Sequence, residues 1–491
     1  MKIAQLGTFD VPNYGDLLFP QIAAKRLRRY ADATLEPVSP VGGLPVWADS
    51  PRSISSKTFF ARRPEYDGII VGGGNIIRLT PSDLKNYNKD LTPLLSYADL
   101  WLGAIVENEV SSTPVCWNAP GVPGPLPSSM RPFLRSCLER VAYLSVRDEV
   151  SRQFLQEISD DLEIAVVPDS AWEIDKLWTH RQLSAAYKNA FASRRKTLPE
   201  RSVTVHVNSR YLADSTAKQI AASLDQLCEE LDAIAILIAI GPCHGDDEMA
   251  EAVATSMTTG PLLVNQPASL EEVTAAIAGS IAYIGSSMHG FIAASSFGKP
   301  AVIVASPSTV KFPGLLAQIG LPDLLHETWG EAIDHLGCLL TPYHVNLLQQ
   351  IRETQQQRLD RHWSNVAGVL VDRAIKERVS ITQGAPLSRY PEILLGVTAM
   401  DLWRQKLATQ AREKEREERR NRTQRELTKR LQVQKARAEE LARQLEAAKR
   451  KVEALLASTS WRVTGPLRRI SLNAQWLRRN LRRAAKLAKL L

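Results

Sequence analysis

The sequence has 491 residues, of which 44% are hydrophobic and 23% charged, proportions typical of a globular protein with room for about three domains. The formal net charge of +8 is unevenly distributed: residues 459–491 contain nine Lys or Arg and no acid, whereas residues 1–401 carry 35 basic and 44 acidic side chains. The sequence contains no apolar run of about 18 residues and no leader pattern at its start, which argues against a membrane span and secretion. We therefore expect a cytoplasmic protein with a basic C-terminal appendage.

The chain begins with a strand, a polar turn and a helix. Lys2–Leu6 has the composition of a buried strand, and Leu17–Tyr30 has that of a helix. The turn between them contains Asn13, Gly15 and Asp16, and in open α/β sheets ligands bind at such turns. Asn13 and Asp16 could equally cap the helix.

The next predicted strand is followed by a run of glycines, Gly72, Gly73 and Gly74, and then by Asn75. Glycine tolerates positive φ angles and the close approach of other groups, so the run predicts a tight contact with a ligand or a neighbouring loop. The run is not a GxGxxG fingerprint, and it does not indicate a nucleotide.

Two further short strands end in charged residues. Tyr143–Asp148 carries Arg147 near its end, and residues 166–170 carry Asp169. The repeated order of strand, polar turn and helix predicts a doubly wound, Rossmann-like α/β domain over residues 1–180.

A charged helical connector, Arg181–Arg201, precedes a second series of strands and helices, in which Arg210 follows the first strand. The series predicts a second Rossmann-like domain over residues 198–380. Two such domains leave a cleft between them that is lined by the carboxyl ends of both sheets. The five cysteines lack CxxC spacing, which predicts neither a metal site nor a disulfide framework.

The second domain contains the most informative stretch, residues 281–304. It predicts a strand, the polar turn Ser286-Ser287, a helix over Phe291–Phe297 and a further strand. His289 and Gly290 fall between the turn and the helix. A histidine at a helix start that faces a sheet edge is a candidate functional residue, because helix N-termini there commonly bind anions.

These residues, in this order, resemble the motif series of the polysaccharide pyruvyl transferase family. The resemblance spans residues 3–305 and implies a GT-B-like architecture of two Rossmann domains. It also implies transfer of a pyruvyl group from phosphoenolpyruvate to a saccharide hydroxyl in surface polysaccharide biosynthesis, with no metal or other cofactor. The motifs are Asn13-Tyr-Gly-Asp16, Val71-Gly-Gly-Gly-Asn75, Arg147-Asp148 with Ser151, Pro168-Asp169, and Ser286-Ser-Met-His-Gly290 with Gly298-Lys-Pro300.

The resemblance also implies roles for individual residues. His289 would protonate the methylene carbon of phosphoenolpyruvate, and Arg147 would bind its phosphate or carboxylate. Ser286, Ser287 and the N–H groups at the Gly290 helix start would hold the other anionic group. The remaining motif residues would line the cleft and contact the acceptor, namely Asn13, Gly15, Asp16, Gly72, Gly73, Gly74, Asn75 and Asp169.

One position departs from the family pattern. Many members have Arg-Leu immediately before the histidine, where this chain has Ser287-Met288. Arg210 could supply the cation instead, or the donor could differ. A GT-B glycosyltransferase that uses a nucleotide sugar, and a non-catalytic scaffold of a polysaccharide-assembly complex, therefore stay open as alternatives.

After a linker over residues 381–401, residues 402–458 show leucine-rich 4-3 spacing, which favours a coiled coil and hence a homo-oligomer. A long helix that packs on its own protein is the alternative. Residues 459–491 form a predicted amphipathic basic helix, suited to an anionic membrane surface or to a helical partner. Nucleic acid is not an expected partner, because the cleft-bearing part is net acidic. These features predict an enzyme peripheral to the inner face of the plasma membrane, acting on a saccharide or lipid-linked saccharide.

Overall fold

The structure is a computed structural model, and its two compact units are residues 1–408 and 409–491. In the first unit it describes residues 1–62, 66–80, 82, 84, 87, 96–194, 196–212 and 215–380. In the second unit, it describes a helical stretch over 434–454 and scattered positions between 416 and 485.

The first unit contains a five-stranded parallel sheet near its N-terminus, in the order β3-β2-β1-β4-β5. A short parallel pair, β6 and β7, follows it. The strands are β1 (Lys2–Leu6), β2 (Thr34–Ser39), β3 (Ile54–Ser55), β4 (Gly68–Gly72), β5 (Val115–Asn118), β6 (Ser145–Val146) and β7 (Ala165–Val166). The accompanying helices are α1 (Tyr14–Leu27), α2 (Ser56–Arg62), α3 (Ser96–Ser111), α4 (Arg131–Leu138), α5 (Glu149–Gln156) and α6 (His180–Ser193).

A second, six-stranded parallel sheet follows, in the order β10-β9-β8-β11-β12-β13. Its strands are β8 (Ser202–His206), β9 (Ile234–Ile238), β10 (Leu262–Val264), β11 (Ala282–Gly285), β12 (Ala301–Val304) and β13 (Leu325–His326). Its helices are α7 (Ala217–Leu231), α8 (Asp246–Ser256), α9 (Leu270–Gly279), α10 (Met288–Ser296), α11 (Lys311–Ile319), α12 (Trp329–Leu339) and α13 (Pro342–Ser380).

Two parallel sheets joined by helices confirm the predicted α/β class with two Rossmann-like halves. The strands β4 and β12 are apolar and buried along their whole length, as is typical of parallel sheets covered on both faces. The halves meet directly, because the Tyr14 N–H at the start of α1 donates to the Ile240 carbonyl at 2.9 Å. The Tyr14 hydroxyl also bonds the Thr274 hydroxyl in α9 at 2.9 Å.

Two predicted segments differ in the structure. The charged stretch Arg181–Arg201 is not a bare connector, because α6 packs against α9 and buries Leu183 and Phe191. The helix after the His289 motif begins at Met288 rather than Phe291, since the Ser287 hydroxyl accepts the Gly290 N–H at 3.2 Å and so caps it. His289 therefore lies in the first helical turn.

Helix α13 returns from the second sheet to the first half. Its His362 is fully buried, where Nε2 bonds the Asn118 side-chain oxygen at 3.0 Å and Nδ1 bonds the Tyr143 hydroxyl at 3.2 Å. Farther along, Leu370 packs over Gly68 of β4. The helix thus ties the two halves together.

In the C-terminal unit, the described positions from 434 to 454 are helical. The predicted seam residues Leu427, Leu431, Leu441, Leu445 and Val452 are exposed. The coiled coil stays a prediction, while the linker 381–401 and nearly all of the tail 459–491 lie outside the described residues. Among the described helices, none is long and apolar enough to cross a membrane.

Candidate active site

A polar cavity of about 320 Å³ lies where the carboxyl ends of the two sheets meet. Its walls come from the segments that follow β1, β4 and β6 in the first half and β8, β9, β11 and β12 in the second. Side chains at the carboxyl edge of parallel strands converge in this way because every strand points in the same direction. The cavity therefore lies at the sheet edge where the sequence predicts a cleft.

The glycine run after β4 adopts the backbone that only glycine adopts readily. Gly72, Gly73 and Gly74 have φ of +125°, +76° and +75°. A Cβ at Gly73 would lie 2.0 Å from the Phe19 ring, and a Cβ at Gly74 would lie 2.8 Å from Asp16 Oδ1. The run thus allows α1 to come close, and Gly74 but not the other two lines the cavity.

Arg147 is a buried cation at the wall of the cavity, with 5% of its side chain exposed. Its Nη2 donates to the Asn75 side-chain oxygen at 2.9 Å, and its Nε lies 3.4 Å from Asp148 Oδ2. Asp148 also caps α5 by accepting the Ser151 N–H at 2.7 Å. The guanidinium is therefore fixed from one side, which leaves its other donors for an anion in the cavity.

His289 also lines the cavity, and its imidazole is closely surrounded by other residues. Its Nε2 is 3.5 Å from Asp169 Oδ2, longer than an ordinary hydrogen bond, and its ring contacts Phe19 edge-on with centroids 5.6 Å apart. Gly15 lies directly against the imidazole, since a Cβ there would be 1.8 Å from Nδ1. The glycines of two predicted motifs thus make room for the imidazole and its aromatic neighbour.

The two carboxylates beside His289 differ in their environments. Burial alone would raise the pKa of Asp169, but attraction to His289 and Arg147 holds it below its usual value. Burial raises the pKa of Asp16, and His289 and the Thr8 hydroxyl, which donates to Asp16 at 2.7 Å, offset this only in part. Asp169 is therefore the carboxylate suited to orient the imidazole.

The alternative in which the side chains of Asn13 and Asp16 only cap α1 is not supported by the hydrogen bonds of either residue. Asn13 is the N-cap residue of α1, yet its side chain makes no capping hydrogen bond. The Asp16 carboxylate accepts from Thr8 instead. Both residues line the cavity, so their polar groups point to a ligand more than to the helix.

Sequence reasoning missed a further cation, Lys311, at the first position of α11. Its ammonium lies 4.6 Å from the Phe312 ring centroid and 5.3 Å from that of Tyr211, and burial lowers its pKa. Burial would raise the pKa of Tyr211, but Lys311 brings it below the usual value. The available signal was a lysine that shortly follows the strand Ala301–Val304.

The predicted site residues fall into two groups. Those that line the cavity are Asn13, Asp16, Gly74, Asn75, Arg147, Arg210, Ser286, Ser287 and His289. Gly15 and Asp169 instead lie next to His289, while Gly72 and Gly73 belong to the adjoining glycine run. The Gly290 N–H already donates to the Ser287 hydroxyl, so it is not available to bind a donor substrate. The Cα of Gly290 faces the Tyr283 hydroxyl.

Comparison with known families gives one match: the family described as polysaccharide pyruvyl transferase covers residues 13–308. This span contains every residue of the cavity wall from Asn13 onward except Val310 and Lys311 and the Thr309 before them. No curated protein sequence matches the chain.

Several solved structures show a distant likeness. Staphylococcus aureus MnaA with UDP is 12% identical, with 72% of this chain and 90% of that chain covered and a TM-score of 0.45. The UDP-GlcNAc 2-epimerase of Neisseria meningitidis bound to UDP-GlcNAc is 12% identical, covers 74% and 100%, and has a TM-score of 0.43. The wall teichoic acid polymerase TagF is 11% identical, covers 77% and 90%, and has a TM-score of 0.44. At these values the likeness carries nothing about ligands or reactions.

Proposed function

Because the chain belongs to the polysaccharide pyruvyl transferase family, we propose that it transfers the enolpyruvyl carbon of phosphoenolpyruvate to saccharide hydroxyls as a pyruvate ketal. The observation that carries the proposal is His289, whose Nε2 lies 3.5 Å from Asp169 Oδ2, in a cavity that also contains the buried Arg147 and the partly buried Lys311. The acceptor we propose is a saccharide or lipid-linked saccharide, and no cofactor is required.

The charges of the cavity suit a small dianionic donor. Phosphoenolpyruvate carries a phosphate and a carboxylate close together, and a guanidinium binds either group in a bidentate way. Arg147 enters the cavity from the first half of the fold, and Lys311 and Arg210 enter from the second. An anion bound at Lys311 would restore the charged state of the ammonium, which burial disfavours.

The reaction needs an acid on the donor. His289 gives its proton to the methylene carbon, and the electron pair of the double bond forms the new C–H bond. The carbon that bears phosphate becomes electrophilic, and a sugar hydroxyl oxygen attacks it and loses a proton. The C–O bond to phosphate then breaks, and a second hydroxyl closes the ketal. Two hydroxyl protons are released: one balances the proton placed on carbon and the other leaves with phosphate.

A direct test incubates the full-length protein with phosphoenolpyruvate and a panel of lipid-linked and p-nitrophenyl saccharides, with release of inorganic phosphate and the mass of the product as readouts. We expect acceptor-dependent phosphate release that falls by about 10² to 10⁴ in His289→Asn, the range that general acid catalysis contributes. His326→Asn is the matched control, because His326 is half-buried on β13 of the same sheet and outside the cavity.

Three results would contradict the proposal. The first is phosphate release that is independent of every acceptor. The second is turnover with a nucleotide sugar but none with phosphoenolpyruvate, which would favour a glycosyltransferase. The third is a His289→Asn variant with wild-type turnover, which would remove the imidazole from the chemistry.

A further inference from the structure

A second polar cluster lines the same cavity, at the carboxyl ends of β8, β9 and β11. His206 is the last residue of β8, and its Nε2 lies 2.7 Å from Asp246 Oδ2 at the start of α8. Asp246 also accepts the Gly241 N–H at 2.7 Å and the Asn208 side-chain N–H at 2.6 Å. His206, Asn208 and Asp246 are all less than 5% exposed, and all three line the cavity.

The hydrogen bonds fix the tautomer of His206. A carboxylate only accepts, and Asp246 already accepts two N–H groups, so the imidazole hydrogen belongs on Nε2. Nδ1 of the neutral ring then carries a lone pair. Among the described residues Nδ1 has no hydrogen-bond partner, although it is buried. A buried acceptor without a partner is costly, and a bound hydroxyl would satisfy it.

A hydroxyl group that could pair with the same ligand follows the neighbouring strand β11. Ser286 directly follows β11, the parallel neighbour of β8, and its N–H donates to the His206 carbonyl at 3.2 Å. The Ser286 hydroxyl is buried and likewise has no partner in the described part of the chain. A hydroxyl in the cavity can donate to His206 Nδ1 and accept from Ser286, which satisfies both groups.

We propose that His206, oriented by Asp246, is the general base that removes the proton from the acceptor hydroxyl, with Ser286 positioning that hydroxyl. The inference rests on the proposed function, because it supplies the proton acceptor that ketal formation needs in addition to the acid His289. As the hydroxyl oxygen bonds to the electrophilic carbon, its proton passes to Nδ1, and Asp246 stabilises the imidazolium. The proton then passes to the departing phosphate, which returns His206 to its starting state.

The experiment compares His206→Gln, Asp246→Asn and Ser286→Ala with the wild-type protein, with phosphoenolpyruvate and the best p-nitrophenyl acceptor from the panel. Glutamine can still donate to Asp246 but has no basic nitrogen. We expect kcat to fall by about 10² to 10⁴ in His206→Gln and by a smaller factor in the other two. The KM for phosphoenolpyruvate should be unchanged in His206→Gln, because the donor cation Arg210 is held by Asn208 and not by His206. His326→Gln is the control and should retain wild-type kcat.

The outcomes separate the two claims. If the wild-type protein transfers nothing from phosphoenolpyruvate, the proposed function fails and this assignment fails with it. If the wild-type protein is active and His206→Gln keeps its kcat, only the base assignment is wrong. A loss of donor affinity together with a lower thermal midpoint in His206→Gln would instead show a structural role and would also overturn the assignment.

Discussion

Gly15→Ala tests whether the position of His289 controls turnover. Gly15 is the second residue of α1, and the added Cβ would lie 1.8, 2.2 and 2.3 Å from Nδ1, Cγ and Cε1 of the imidazole. Ordinary contact begins at 3.4 Å, so the ring must retreat by more than about 1 Å. The imidazole is a side-chain group that can rotate, whereas α1 is held by the bond from Tyr14 to Ile240. The ring is therefore the group that moves.

A displacement of about 1 Å at a catalytic group costs about 100-fold in rate, or roughly 2.7 kcal/mol of transition-state stabilisation. We expect kcat for phosphate release from phosphoenolpyruvate to fall by that factor. The free energy of unfolding, measured by urea denaturation, should change by less than about 1 kcal/mol, because alanine is the better helix former. Gly330→Ala is the matched control: Gly330 is the second residue of α12, and nothing lies near its added Cβ.

The result that would refute this reasoning is a folded Gly15→Ala protein with a turnover within about twofold of wild type. That outcome would show that the imidazole does not need its position beside Asp169. A loss of activity in Gly330→Ala would indicate that helix-start glycines affect the enzyme generally rather than through His289.

Three further predictions use other parts of the chain. Arg147→Lys should lower the affinity for phosphoenolpyruvate by about one to two decades, measured by calorimetric titration, because an ammonium cannot reproduce a bidentate contact; unchanged affinity would place Arg147 outside the donor site. Burial lowers the pKa of His362 to about 3, against 6.5 in the unfolded chain. Between these two values the unfolded state binds more protons than the folded state. The free energy of unfolding therefore falls as the pH falls from 6.5 to 3, by at most about 1.4 kcal/mol per pH unit. His362→Gln should reduce that slope in urea titrations at pH 7.5, 6 and 5, and an equal slope in both proteins would contradict the assignment. Deleting residues 459–491 should release the protein from anionic liposomes and leave activity on a soluble acceptor intact, and continued sedimentation of the truncated protein would assign the binding elsewhere.

The sequence predicted most of the fold because parallel sheets have a strong local signal. Lys2–Leu6 and Ala301–Val304 are short, largely apolar segments followed by turns, and both are strands with the predicted limits. Helix starts were harder to place. The start of α10 at Met288 depends on which hydroxyl accepts the Gly290 N–H, and a pair of adjacent serines does not settle that choice.

Site residues were predictable where a motif marked the end of a strand. The sequence signals were weaker for Lys311, His206 and Asp246. His206 lies in a strand whose residues alternate between apolar and polar. Asp246 lies in the acidic first turn of a helix, where an aspartate is common as a cap. Their proximity arises from the order β9-β8-β11, which places segments distant in the sequence side by side. A single sequence does not contain that order, so the second wall of the cavity depended on the structure.

The serine at position 287 explains how the cations of the cavity are arranged. Its hydroxyl takes the Gly290 N–H, so this N-terminal amide of α10 is already satisfied and is unavailable to an anion. The cavity supplies cationic side chains for an anion, Arg147 from the first half and Arg210 and Lys311 from the second. The two histidines, His206 and His289, both belong to the second half, whereas Asp16 and Asp169, the carboxylates beside His289, belong to the first. The first half therefore orients the acid that the second half carries, and the proposed chemistry needs both halves.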